Sequence, residues 1–453
     1  MTNEIDCPSD FIRKKAEYKT LLAEIIKIAK KKGASQVEAN INHDIGFSVS
    51  VRMKEVDTIE HNRNKSLAIN VYFGQRKGSV SSSDFSSKSI ENAVETACHI
   101  ARFTSEDPFS GLADPHLLAK SPHNLDLFYP WSIDPQNAIE LGRDCESSAF
   151  AVDKRISFSE GVTLSTHQTL YLYGNSNDFI KGYPSSRHSL SCSLVAKDKN
   201  GMQRDGSYTL SCDPNQLEPA EKLGKQAAKI TLKRLNARRL PTCQTPVIFH
   251  AEVASSLIGS FLSAISGGNL YRKASFLVNH LDKPVFANKI NIYERPHLAK
   301  GLGSAPFDDE GVITQDRTLV SEGILRGYLL NSYSARKLGM QTTGNAGGAH
   351  NIVLETSQFS LKDMIKTMNK GLLITELLGQ GINLVTGDYS RGAVGFWIEY
   401  GKIQYPVEEI TIAGNLRDMF QNFVAIGNDI DYRSSILTGS IFLENMMVAG
   451  LTP

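Results

Sequence analysis

The side chains of this 453-residue chain that could do chemistry are few and widely spaced. His250-Ala-Glu252 follows the apolar run PVIF, and both side chains are of types that can bind a metal. The same pair is also an ordinary way to begin a helix, so both readings stand. Eleven histidines contain no H-E-x-x-H, and no two lie within five residues of each other; His297 and His350 are solitary. Asp308-Asp309 and the pair Asp429 and Asp431 suit turns better than a cation site. Gly379-Gln-Gly381-Ile-Asn-Leu384 imitates the start of a dinucleotide fingerprint, but leucine replaces the third glycine and the segment runs into a strand. Ser390 has no His or Asp partner in sight, and there is neither a phosphate-binding lysine loop nor a G-x-S-x-G elbow. No residue-level signal for autonomous catalysis stands out.

Two segments must position whatever chemistry there is. Residues 371–416 read as short β-prone runs (INLV, VGFWIEY, KIQYPV, EITIA) separated by glycine-containing turns, the grammar of tight antiparallel strands. Within them Asp388, Tyr389, Ser390 and Arg391 sit between Gly387 and Gly392, where the spacing predicts a polar turn on a β-scaffold suited to recognition. Residues 251–266, AEVASSLIGSFLSAIS, form a helix rich in small side chains that can approach a sheet or another chain closely, with Gly267-Gly268 to end it.

The rest of the chain frames these segments. An amphipathic helix is predicted over 11–33, then strands through QVEANI, GFSVSVRMKEV and SLAINVYFGQRKGSVSSS, then a helix over 87–103. A proline-rich connector, 104–133, leads to a helix opened by Asp134-Pro135. Long strands fill 156–212 with a hairpin signal at Asn200-Gly201, a helix runs from Pro219 to about Leu235, and residues 236–241 read as a linker. Twenty of the 35 glycines fall in residues 301–453, marking a turn-rich last third. The expected class is α+β: an N-terminal part with helices packed on antiparallel sheet, then a C-terminal β-rich domain with a few helices. The expected divisions are 1–120, 121–240 and 241–453.

Composition excludes several function classes. A net charge of +1 argues against a nucleic-acid surface, and no apolar run is long enough to span a bilayer. The N-terminal stretch shows no secretory h-region. Six scattered cysteines include no C-x-x-C; Cys192 and Cys212 could meet across a hairpin, but reduced, buried thiols in the cytoplasm fit better.

The order of these pieces resembles the TldD/PmbA family, and its PmbA (TldE) branch most closely. The matching text includes GDYSRGAVGFWIEYGKIQYPVEEITIAGNL, LLNSYSARKLGMQTTGNAGG, PHLAKGLGS, SGGNLYRKASFL and VAIGNDI, with VYFGQRKGSVSSSD and GYPSSRHSLSCS nearer the N-terminus. It covers almost the whole chain. The resemblance implies a cytoplasmic, zinc-dependent peptidase built from two related chains. TldD-type chains carry two histidines and a glutamate on the helix preceding GGNLYRKASF, completed by a cysteine near the C-terminus. Aligned on Arg272, the histidine positions fall on Ser260 and Ala264, the glutamate on Phe261 and the cysteine on Thr438. The resemblance therefore implies no catalytic residue and no metal in this chain, with zinc in a TldD-type partner. It also implies a peptide cleft in which Tyr389 and Arg391 are the candidate substrate contacts. Leader-peptide removal from a microcin-type precursor and degradation of antitoxins or unfolded proteins are the family's activities. An independent metallopeptidase using His250 and Glu252, and a non-enzymatic binding module, remain the alternatives.

Overall fold

The computed structural model describes residues 8–450; Cys7 lies outside them. Helix α1 (Pro8–Lys31) leads into three strands, β1 (Gln36–Arg52), β2 (Glu55–Phe73) and β3 (Arg76–Ser82). The segments QVEANI and GFSVSV, separate in the sequence pattern, are one strand, because residues 42–46 pair without a break with β2 on one side and with residues 167–171 on the other. Helix α2 (Ser87–Phe103) and the connector follow, the latter irregular apart from a single 3₁₀ turn at Pro115–Leu117. Helix α3 (Pro135–Phe150) starts as its sequence signals, with the Asp134 carboxylate accepting from the Asn137 amide.

Strands β4 (Ile156–Asn175), β5 (Phe179–Asp198) and β6 (Gly201–Ser211) complete a six-stranded antiparallel sheet in the order β3-β2-β1-β4-β5-β6. This sheet crosses the division at residue 120, since β1 pairs with β4 from Glu38 to Val51. Helix α4 (Ala220–Lys233) packs beside α3, and the two cover one end of a sheet face whose other end lies under α1 and α2. The opposite face presents Tyr171, Tyr173 and Tyr183 to Phe307 of the C-terminal part. Cys192 stands opposite Ser207 in the ladder, so it and Cys212 are both free thiols.

The C-terminal part begins with β7 (Cys243–Phe249), α5 (Ala251–Ala264) and α6 (Gly267–Tyr271). It continues through β8 (Ile292–Glu294), β9 (Arg317–Ser321), β10 (Ile324–Leu325), α7 (Ser332–Lys337), β11 (Ile352–Leu354) and α8 (Leu361–Met368). It ends with β12 (Gly371–Leu378), β13 (Asp388–Glu399), β14 (Lys402–Asn415), α9 (Leu416–Gln421), β15 (Phe423–Ile426), β16 (Ile436–Leu437) and β17 (Ile441–Ala449). Strands β14-β13-β12-β7-β17 form a sheet that closes on itself through β14–β17 pairing, with β15 added to β17. A second sheet, β10-β9-β8-β11-β16, packs with α5 over the barrel, and side chains of all three share one core. Closure removes the free edges that a lone sheet would expose.

Candidate functional site

Two readings of residues 371–416 change. Asp388–Arg391 is not a turn but the start of β13, paired residue by residue with Asn415–Ile412. The turn lies earlier, where INLV was expected to be a strand: the Gly387 amide bonds the Asn383 carbonyl, and Gly387 takes φ of 88°. Tyr389 is 2% exposed within the barrel core and its hydroxyl makes no hydrogen bond. Burial pushes that hydroxyl up to about 12, against the pull of the nearby Arg391 guanidinium. Arg391 is half-buried on the same strand. Because β12, β13 and β14 are paired within the barrel, this stretch forms wall rather than open edge.

Helix α5 holds the positions that matter most. Its N-cap is His250, whose ring nitrogen Nδ1 accepts from the Glu252 amide at 3.5 Å. The Glu252 carboxylate is taken by the Arg433 guanidinium, which also holds Asp431 at 2.8 Å and lies 4.4 Å over the Tyr208 ring. These contacts hold Arg433 more firmly charged than burial alone would allow. Asp429 accepts from both the amide and the hydroxyl of Ser440, at 2.9 and 2.6 Å. His250, Glu252, Asp429 and Asp431, scattered in the sequence, thus meet around one cavity of about 770 Å³ between the central sheet and the barrel. The carboxylates are committed to a cation and to hydroxyl and amide donors. Among the described residues, no three His, Cys, Asp or Glu side chains are grouped to hold a metal ion. His297 bonds Thr314 at 2.9 Å, and His350 bonds the Gly344 carbonyl at 3.0 Å.

The positions aligned with zinc ligands are filled by packing. Ser260 donates its hydroxyl to the Ser256 carbonyl at 3.1 Å. Phe261, fully buried, sets its ring edge-on to Phe286 at 4.9 Å and Phe420 at 6.1 Å. Ala264 and Thr438 are also fully buried, and the Thr438 hydroxyl donates to the Gly439 carbonyl. None offers an imidazole, thiolate or carboxylate, so these residues do not fit a zinc ion. Shifting the helix positions one residue earlier brings in Gly259 and Ser263, neither of which offers an imidazole or carboxylate.

Gly259 is nevertheless informative, because an added Cβ would meet nothing closer than Ile436 at 4.0 Å. That face of α5 opens onto a second cavity of about 600 Å³, where Ser263, Asn269, Arg272, Tyr333, His350 and Ile436 form part of the lining. Ile436 belongs to β16, the edge strand of its sheet, and its neighbour Leu437 lines the first cavity. The helix carrying the aligned positions therefore lies beside two grooves and the edge strand β16.

The closed barrel, the sheet layered on it and the groove-flanked helix fall within segments matched by known family models. The family models agree in three parts: the PmbA/TldA metallopeptidase C-terminal domain over residues 242–450, the central domain over 128–235, and domain 1 over 37–101. The chain belongs to the PmbA/TldD family. It is 48% identical over 413 residues to metalloprotease PmbA of Escherichia coli, covering 91% of this chain and 92% of that one. It is 46% identical to a PmbA homologue of Haemophilus influenzae, covering 96% of each. In structure it is similar to a Bacteroides thetaiotaomicron protein described as a candidate modulator of DNA gyrase. That match has a TM-score of 0.90 at 27% identity, covering 99% of this chain and 100% of that one. The TldE structure of Thermococcus kodakarensis shares the fold, with a TM-score of 0.81 at 20% identity, covering 95% of this chain and all of that one.

Proposed function

We propose that this chain is the metal-free subunit of a two-chain metallopeptidase of the cytoplasm, working with a TldD-type chain that supplies the zinc. The observation that carries the reading is the residue set Ser260, Phe261, Ala264 and Thr438, which offers zinc no imidazole, thiolate or carboxylate and is built into the core. In this reading the subunit contributes a peptide-holding surface to a cleft completed by its partner.

The grooves on either side of β16 suit an extended peptide. An edge strand offers backbone donors and acceptors that pair with any sequence, which matches a peptidase acting on leader peptides, antitoxins or unfolded chains. In this reading Arg391, half-buried two residues along the strand from the buried Tyr389, is the member of the pair that would meet a peptide carboxylate or carbonyl. The alternative of an independent peptidase using His250 and Glu252 has less support, because Arg433 already occupies the Glu252 carboxylate.

The test is reconstitution. An unstructured peptide should survive incubation with this chain alone and be cut when a TldD-type chain from the same cell is added. Zinc-dependent cutting by this chain alone, lost in His250→Ala, would favour the alternative.

A further inference from the structure

Arg272 caps the end of α6 and lines the second cavity beside α5. A guanidinium is permanently charged, and its planar fork matches a carboxylate. Here it is held by neutral groups instead. Nη1 donates to the Tyr271 hydroxyl at 3.2 Å, and Nη2 donates to the Asn269 side-chain oxygen at 3.3 Å. The Asn269 amide is turned that way by its nitrogen, which donates to the Ser263 carbonyl at 2.8 Å. The guanidinium carbon lies 5.3 Å from the centre of the Tyr271 ring, and that ring stands edge-on to Tyr333 at 5.8 Å. Gly268 makes the room, since a Cβ there would come within 3.3 Å of Nη2. Among the described residues, both hydrogen bonds of this exposed arginine go to neutral oxygens.

The surroundings favour an anion. Among the described residues, the lining of this cavity includes no Asp or Glu, whereas Glu218, Glu252, Asp429 and Asp431 line the first cavity. Two carboxylates that hold lining side chains are already answered. Asp107, which accepts from the Tyr333 hydroxyl, has Lys337 at 3.7 Å. Glu294, which accepts from the Asn345 amide, has Arg317 at 2.6 Å. A carboxylate arriving at Arg272 thus meets charge-assisted donors without displacing another carboxylate. The fork is oriented before the ligand arrives, which lowers the ordering cost of binding.

We propose that Arg272 captures a carboxylate of the peptide held in this groove, either the C-terminal carboxylate or an acidic side chain. The subunit then selects peptides by charge as well as by backbone. This site rests on the peptide-holding role given above and names the chemical class of ligand that role would favour.

Fluorescence anisotropy with the full chain tests it. The probe is one unstructured, N-terminally labelled peptide in three forms: free C-terminus without acidic residues, the same peptide amidated, and the amide with one internal glutamate. At low salt the free-carboxylate form, the glutamate form or both should bind at least about tenfold more tightly than the plain amide. Preference for the first assigns the terminus, and preference for the second the side chain. Arg272→Gln should erase the difference. Arg272→Lys should keep only part of it, because an ammonium lacks the fork. Gly268→Ala, which leaves the charge and crowds the fork, should reduce it. If a variant misfolds by circular dichroism, the wild type decides: a photoreactive group beside the favoured carboxylate should label residues 263–272 or Tyr333. Equal affinity for all three forms would overturn the proposal, as would discrimination that survives Arg272→Gln or labelling confined to the first cavity. With a TldD-type chain added, cutting of all three forms at equal KM would overturn it and leave the peptidase reading intact. Discriminating binding with no cutting by the pair would sink the peptidase reading and leave this site standing.

Discussion

At the scale of single residues, the positions that the resemblance aligns with metal ligands are filled by core packing, and the unusual carboxyls lie elsewhere. Asp308 is 2% exposed where the C-terminal part meets the sheet. Its carboxyl takes the amides of Glu310, Val312 and Ala346, yet burial, with Glu310 nearby, raises it to about 7. Burial raises its neighbours Asp309 and Glu310 as well. The folded carboxyl of Asp308 keeps its proton to about 7, whereas an unfolded aspartate loses it near ~4. Its contribution to stability is therefore fully present below the unfolded value and is lost as pH rises through about 7. Urea titrations between pH 5 and 8 should show this as a difference in slope, with Asp308→Asn changing less than the wild type. Equal slopes would place the proton elsewhere. The residue types at the ligand positions were legible in the sequence. The meeting of Glu252 and Asp431 on Arg433 was not, because it joins residues far apart in the chain.

At the scale of elements, close approach between α3 and α4 explains one glycine. A Cβ on Gly224 would lie 2.0 Å from the Cys145 carbonyl oxygen and 2.3 Å from the Ser148 hydroxyl. Alanine ordinarily favours a helix by about 1 kcal/mol over glycine. Here Gly224→Ala should instead cost about 1–3 kcal/mol, because the helices must part. Chemical denaturation decides the sign, and a gain in stability would refute the packing argument. The helices were legible because caps and apolar periodicity are local signals, as at Asp134 and along α2. The start of β13 was misread because Gly387, Asp388 and Ser390 are turn formers by composition. In the fold, Tyr389 enters the core, and period-two burial makes the segment a strand. The small side chains of α5 likewise had two readings: some meet the core, while Gly259 faces a groove.

At the scale of the whole molecule, long-range pairings join the parts. Strand β7 pairs parallel with β12 and antiparallel with β17, and β17 reaches round to β14, a closure that no local pattern announces. Arg234, 4% exposed at the end of α4, bonds Asp205 of the central sheet and Glu376 of the barrel, each at 2.5 Å. Arg336 of α7 similarly donates to the connector carbonyls of Phe109 and Gly111, at 3.1 and 3.0 Å. The resemblance in sequence anticipated the family because it spanned nearly every element. Three-dimensional packing added that the aligned ligand positions are structural, and that the grooves lie beside them. The central claim is that this chain brings shape and its partner brings metal. Zinc content, counted per chain after the subunits are purified separately, tests it most directly. The account predicts far less than one zinc per copy of this chain and about one per TldD-type chain. Stoichiometric zinc in this chain, purified alone and active on a peptide, would contradict it.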